Sequence, residues 1–245
     1  MQDPPELSIV LPVYNEGEAV EPVLRALHAG VATPHELVVV YDFDGDTTVP
    51  VIERLAAEIP GLRGLRNDLG RGVLNAMKAG IAASRGTSIL ISMSDGSDDP
   101  SDVEPMLALA RSGADVVSAS RYMAGGRQIG GPPLKRLMSR TAGLTLHWFA
   151  RVPTHDPTNN FKLYSRRFLD SVTIESTAGF ELALELTVKA TLDGRRVAEV
   201  PTTWRDRTAG QSNFKLRKWL PHYLHWYWAA FRGRWLRRPV APNPR

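Results

Sequence analysis

The sequence predicts an α/β fold: a Rossmann-like, mostly parallel central sheet flanked by helices, followed by a basic, aromatic C-terminal helical segment. Three observations predict it. Short apolar runs at Leu7–Val13, Glu36–Tyr41, Thr87–Met93 and Ala114–Ala119 alternate with segments of helical spacing at Glu18–Ala29, Thr48–Glu58, Arg71–Ser84 and Ser101–Arg111. That alternation is the mark of βαβ units on a parallel sheet. The runs are apolar almost throughout, as expected of strands covered on both faces. Gly30, Gly61, Gly86 and Gly113 stand where these elements should stop.

The individual elements carry their own signals. Asp46 or Thr47 is placed to cap the second helix, and Ser101 precedes Asp102 and Glu104, acids that suit the positive end of a helix. After Arg121 the pattern loosens. Ala124–Pro133 holds four Gly and two Pro and reads as a loop. Pro133–Ala150 reads as a helix, Arg151–Asn160 as turns, Asn160–Tyr164 as a strand, Phe180–Leu192 as a helix and Arg195–Val200 as the last strand.

A chain of 245 residues fits one sizeable domain, residues 1–213, with a short appendage, residues 214–245. The absence of cysteine excludes disulfides, thiolate metal sites and cysteine nucleophiles. The opening MQDPPELSIV lacks the basic and then apolar run of a secretory signal, so a cytoplasmic location is expected. No apolar stretch approaches the ~20 residues that span a bilayer, so membrane contact is expected to be peripheral. The net charge of +4 is uneven: from Arg207 onward there are nine Lys/Arg and no acids, leaving the first 206 residues at a formal −5. A basic tail on an acidic body calls for an anionic partner of the tail.

Ligands of open parallel sheets bind beyond the carboxyl ends of the strands, and polar residues collect there. The first strand runs into Pro12, Tyr14, Asn15 and Glu16; the second into Asp42, Asp44 and Asp46; the one after Gly86 into Asp95, Ser97, Asp98 and Asp99; the next into Ser120, Arg121 and Tyr122. Converging carboxylates repel unless a cation or donor groups meet them. Magnesium or manganese, shared with substrate phosphate, answers that need. The acidic edge argues against nucleic acid at this site. The first βα turn is Pro-Val-Tyr-Asn-Glu-Gly, which fails the Gly-x-Gly-x-x-Gly fingerprint of a dinucleotide-dependent oxidoreductase.

The segments LSIVLPVYNEGEAV, ELVVVYDFDGDTT, GRGVLNAMKAGIAASRG, ILISMSDGSDDP, VVSASRY and RTAGQSNFK, in this order, resemble the motifs of family-2 glycosyltransferases with the GT-A fold, and most closely the dolichyl- or polyprenyl-phosphate sugar synthases. The likeness spans Leu7 to Lys215. It implies a GT-A domain over residues 1–213 that transfers a sugar, mannose first, from a GDP- or UDP-linked donor to a polyprenyl phosphate, with inversion. It implies nucleotide-sugar contacts at Pro12, Tyr14, Glu16, Asp42 and Asp95, and metal contacts for Mg2+ or Mn2+ at Asp95 and Ser97. It implies phosphate or acceptor contacts at Arg121, Lys135, Arg136, Ser139, Arg207, Ser212 and Lys215. Asp95, Arg121 and Arg207 are then the residues on which turnover depends.

The chain departs from the family pattern in three places. Met93 replaces the first aspartate of the Asp-x-Asp metal motif, Tyr41 the first acid of the Asp-Asp-Gly-Ser turn, and Asn213 the lysine after Ser212. Two other readings stay open at this level: a family-2 enzyme with a non-lipid acceptor, or a nucleotide-sugar binder without activity. Arg121 can alternatively pair with an acid of the fold.

Lys215–Arg238 holds four of the six tryptophans, with basic residues at both ends. Trp, Tyr and Lys/Arg together favour a membrane–water interface. The segment is therefore expected to make peripheral contact with the inner face of the cell membrane, with Pro221 breaking it into two helical pieces. Packing of the segment on the body or on a second copy is the alternative.

Overall fold

In the computed structural model, which describes residues 4–206 and 216–236, the predicted strand–helix alternation forms a three-layer sandwich. Its elements are β1 (Leu7–Pro12), α1 (Val20–Gly30), β2 (His35–Tyr41), α2 (Val49–Ala56), β3 (Leu62–Arg66), α3 (Val73–Ala83), β4 (Ser88–Ile91), α4 (Val103–Arg111) and β5 (Val116–Ser120). There follow β6 (Arg127–Ile129), α5 (Pro133–Ala150), β7 (Lys162–Ser165), α6 (Arg166–Ser171), α7 (Leu182–Leu192), β8 (Val197–Pro201), β9 (Thr203–Arg205) and α8 (Leu216–Leu236).

The main sheet runs β3-β2-β1-β4-β7-β5-β8. Only β7 is antiparallel to its neighbours, β4 and β5. Alternate residues of each central strand feed opposite cores. Ile9, Leu11, Leu37 and Val39 pack with Leu24, Leu55 and Leu107 of α1, α2 and α4. Val10, Val38 and Val40 pack with Leu74, Met77, Leu182 and Leu186 of α3 and α7. This two-sided burial is why those strands lack polar alternation. Gly80 brings α3 against the sheet, where a Cβ would collide with Val10 of β1.

Three features differ from the sequence-based expectation. β3 lies at the sheet edge with only Leu62 buried and the rest half-buried or exposed, so LRGLR carries no apolar run to mark it. The glycine-rich segment after Arg121 holds β6, which pairs parallel with β9 in a separate two-stranded sheet. The break expected at Pro221 does not occur, and α8 continues through it to Leu236. Proline removes one intrahelical bond near the start of α8, and packing further along compensates. Trp226, Ala230 and Phe231 are buried with Leu146 and Ala150 of α5, Val152, and Leu184 and Val188 of α7. Among the described residues no helix is long and apolar enough to cross a membrane.

Candidate functional site

The carboxyl ends of β1, β2, β4 and β5 open into one cleft of about 1660 Å³. Pro12, Tyr14, Glu16, Asp42, Asp95, Ser97, Arg121, Lys135, Arg136 and Ser139 all line it, so ten of the sequence-derived site residues converge. Arg207, Ser212 and Lys215 lie outside the described residues.

Each wall is built by short-range bonds. After β1 the chain turns through Asn15, a non-glycine residue at φ 54°, whose N–H donates to Asp46 Oδ2 at 3.0 Å. The Glu16 N–H donates to Thr48 Oγ1 at 3.0 Å. Asp46 also accepts from the Thr48 N–H at 2.8 Å. Asp46 therefore latches the β1 turn to the entrance of α2, and neither it nor Thr47 caps that helix: the N-cap residue is Thr48, with no side-chain cap bond. Asp42, at the end of β2, accepts from Asn67 Nδ2 and from the Gly72 N–H, both at 2.8 Å. Its carboxylate thus orients the β3–α3 loop as well as facing the cleft.

On the floor, Asp95 Oδ1 accepts from the Ser97 N–H at 3.1 Å and from the Ser97 hydroxyl. Asp98, which also lines the cleft, accepts from the Met93 N–H at 3.0 Å and the Ser92 hydroxyl at 3.2 Å. Burial, with the nearby Asp95 charge in support, pushes its carboxyl up to about 7. Asp99 accepts from the Ser101 N–H and hydroxyl and starts the 3-10 turn before α4.

The basic side is arranged differently from the expectation for Arg121. Its Nε donates to Asp156 Oδ2 at 2.6 Å, and its Nη2 to Asp156 Oδ1 at 2.9 Å and Ser139 Oγ at 3.2 Å. Burial opposes charge on both groups. Their mutual attraction prevails, holding the Arg121 pKa above and the Asp156 pKa below their ordinary values. Arg121 still borders the cleft, but the fold claims its strongest bonds. Beneath the pair, buried Lys162 donates to the carbonyls of Asp156 and Asn159 at 2.9 and 2.6 Å, and burial pushes its pKa down to about 7. Lys135 and Arg136 enter the cleft from the first turn of α5. A helix N-terminus carries partial positive charge, so this end of α5 is doubly attractive to phosphate.

Beyond the strand ends the cleft continues between helices, lined by Met138 and Ala142 of α5, Phe180, Leu184 of α7, and Tyr223 and Tyr227 of α8. The Tyr223 hydroxyl donates to the Phe180 carbonyl at 2.8 Å and that of Tyr227 to Thr145 Oγ1 at 3.0 Å. The polar tips are satisfied at the wall and the passage itself is largely apolar.

A family model described as "Glycosyl transferase family 2" matches residues 8–173. The chain belongs to glycosyltransferase family 2. The transferase is 28% identical over 229 residues to a polyprenol monophosphomannose synthase of Mycolicibacterium smegmatis, covering 86% of this chain and 85% of that protein. It is 29% identical over 209 residues to an undecaprenyl-phosphate mannosyltransferase of Micrococcus luteus, covering 83% and 85%. In structure it matches glucosyl-3-phosphoglycerate synthase of Mycobacterium tuberculosis, solved with Mn2+, uridine diphosphate and glucosyl-3-phosphoglycerate. The TM-score is 0.66 at 20% identity, over 98% of this chain and 81% of that one. The GT-A fold is thereby established.

The donor set of the transferase fits a divalent cation that brings ligands of its own. Asp95 offers a carboxylate and Ser97 a hydroxyl; Asp98 also lines the cleft, with its Oδ2 taken by the Met93 N–H and the Ser92 hydroxyl, and Met93 offers only a thioether. Among the described residues no group of three or more His, Cys, Asp or Glu forms a cage. Magnesium and manganese accept one carboxylate plus phosphate and water.

Several residues of the site escaped sequence reasoning. Asn67 and Arg71 sit in a loop after an unmarked edge strand. Lys162 had a signal: a lysine within the apolar strand NFKLY has to be satisfied internally. The groove residues Leu184 and Tyr223 become neighbours only when α8 docks on α7.

Proposed function

We propose that this transferase moves mannose from a nucleotide-sugar donor, GDP-mannose first, to a polyprenyl phosphate at the inner face of the cell membrane. The observation that carries the proposal is the continuity of the cleft from the acidic strand ends to the apolar passage between α5, α7 and α8. A charged reacting end and an isoprenoid chain are accommodated together. The names of the mannosyl-transferring relatives support the same acceptor class.

The chemistry asks little of the protein. The second pKa of a phosphate monoester is near 6, so the acceptor is an anionic nucleophile at neutral pH without a general base. Its oxygen attacks the anomeric carbon, the bond from that carbon to the donor diphosphate breaks, and the nucleoside diphosphate leaves with the electron pair. Direct displacement inverts the anomeric centre. The obstacle is repulsion between two phosphorylated groups. Lys135, Arg136 and the N-terminus of α5 offset it from the acceptor side. Asp95 and Ser97 would hold a magnesium or manganese ion, which would neutralise charge on the diphosphate. Glu16 and Asp42 border the nucleotide end.

Membrane contact belongs to the same proposal. Leu134, Leu137, Trp148 and Phe149 on α5 are 60%, 63%, 69% and 65% exposed, and Trp228 and Trp235 on α8 are 53% and 68% exposed. Exposed Arg140, Arg232 and Arg234 accompany them. Two packed helices that flank the apolar passage therefore present aromatic and basic side chains outward, as interfacial segments do. The contact surface thus extends to α5, beyond the C-terminal segment alone.

Filling the passage tests the acceptor. Ala142→Trp should raise KM for a short polyprenyl phosphate by an order of magnitude or more while nucleotide binding is retained. Unaltered KM with a correctly folded variant would place the acceptor elsewhere.

A further inference from the structure

Behind the wall of the cleft, the loop before β7 is held by a polar cluster that the transfer chemistry does not use. Glu199, at the centre of the edge strand β8, stands in register with Ser118 of β5. Its carboxylate gathers three donors from two consecutive loop residues. Oε2 accepts from the Thr154 hydroxyl at 2.9 Å and the His155 N–H at 2.8 Å, and Oε1 from His155 Nδ1 at 2.6 Å. An ionised carboxylate only accepts, so Nδ1 carries the hydrogen. The His155 ring is stacked on His147 of α5 at a centroid distance of 3.8 Å, which keeps Nδ1 turned to Glu199. The Glu199 and His155 side chains are 10% and 25% exposed, and neither lines the cleft. The next residue is Asp156, the partner of Arg121. Its N–H donates to Thr154 Oγ1 at 3.1 Å, and its carbonyl accepts from Ser118 Oγ at 2.9 Å. Ser118 and Glu199, side by side on β5 and β8, thus fix the backbone from Thr154 to Asp156.

We infer, resting on the acceptor reading above, that Glu199 acting through His155 is a positioning residue for transfer: it holds Asp156 where that carboxylate aims Arg121 at the cleft. Arg121 has a long side chain with many rotamers, and the Asp156 oxygens select one of them through Nε and Nη2. The direction of those oxygens is set by the backbone that Glu199 grips. A displacement of about 1 Å at a group that orders the reacting phosphates costs on the order of 100-fold in rate. The donor side of the cleft is built on β1, β2 and β4, with bonds to Thr48, Asn67, Gly72 and Ser97. Loosening the Glu199 latch should therefore spare nucleotide binding and act on turnover.

Wild type, Glu199→Gln, His155→Phe and His155→Asn test this with two measurements. Glutamine sets an amide N–H2 against part of the donor cluster. Phenylalanine keeps the stack on His147 and removes the donor, whereas asparagine places an amide N–H near the position of Nδ1 and gives up the stack. Amide hydrogen exchange follows Arg121, whose N–H donates to Asp156 Oδ2 at 3.1 Å. Turnover of GDP-mannose with a short polyprenyl phosphate is expressed per GDP-binding site counted by calorimetry. In Glu199→Gln and His155→Phe, exchange at Arg121 should quicken about tenfold or more, the weight of one charge-assisted hydrogen bond, with β1 and β2 unchanged. Turnover per site should fall about tenfold or more at unaltered GDP affinity. His155→Asn should recover both. Unchanged exchange at Arg121, or exchange quickened equally in β1 and β2, would overturn the inference. So would wild-type turnover per site in Glu199→Gln and His155→Phe, or no recovery in His155→Asn. A wild type that binds GDP and transfers nothing to polyprenyl phosphate would instead remove the acceptor reading; turnover per site is then taken with a water-soluble phosphate acceptor, and the latch is judged by the same outcomes.

Discussion

Arg121 and Asp156 form a two-pronged ion pair at the edge of the cleft, and the Arg121 N–H donates to the same carboxylate at 3.1 Å. The Asp156 side chain is fully buried and that of Arg121 is 11% exposed. Removing one partner leaves the other charged and buried, at a typical cost of about 3–5 kcal/mol. Arg121→Ala should therefore lose stability as well as activity, in contrast to a residue that only touches substrate. Chemical denaturation of Arg121→Ala, Asp156→Asn and the double Arg121→Met/Asp156→Leu variant checks it. The double variant should be more stable than Arg121→Ala. A fully stable Arg121→Ala would return this arginine to a purely ligand-facing role.

Asp98 gives the site a pH dependence of defined sign. Its folded-state pKa, about 7, lies above the ordinary 3.8. Between those values the folded state binds more protons than the unfolded one, so this group's contribution is complete below about pH 4 and is lost as pH rises through 7. Asp98→Asn keeps an acceptor for the Met93 N–H and cannot ionise. Its melting temperature relative to wild type should rise with pH between 4 and 8. A constant difference across that range would show that Asp98 ionises normally.

Two faces of α8 should respond differently to truncation. Phe231 is 7% exposed and sits in the cluster with Leu146 and Leu184. Phe231→Ala should cost about 3–5 kcal/mol of local packing, seen as faster amide exchange in α8. Trp228→Ala and Trp148→Ala remove exposed rings and should leave melting nearly unchanged while reducing flotation with vesicles rich in anionic lipid. Undiminished flotation in the double variant would remove α5 and α8 from the membrane contact.

The alternation of buried strands with helices was legible because each central strand is covered on both faces, which writes apolar runs into the sequence. The strand-end residues were legible for the same reason: each run ends abruptly in Asp, Asn or Arg. β3 was not, since an edge strand with half its side chains near solvent has no such signature. Pairing of Arg121 with an acid was open in the sequence, but that the acid is Asp156 was not legible, because the two are brought together by β5 and the loop before β7, across a separation that local pattern does not encode. The Pro221 break was expected from local backbone chemistry, and tertiary packing of Trp226, Ala230 and Phe231 outweighs it.

The most direct measurement of the central claim is the mass of the product formed from GDP-mannose, UDP-glucose and related donors with a short polyprenyl phosphate and magnesium. The account predicts one new lipid species, heavier than the acceptor by a single anhydrohexose, formed from GDP-mannose and inverted at its anomeric carbon. Transfer only to a small water-soluble phosphate, with the polyprenyl phosphate recovered unchanged, would contradict it.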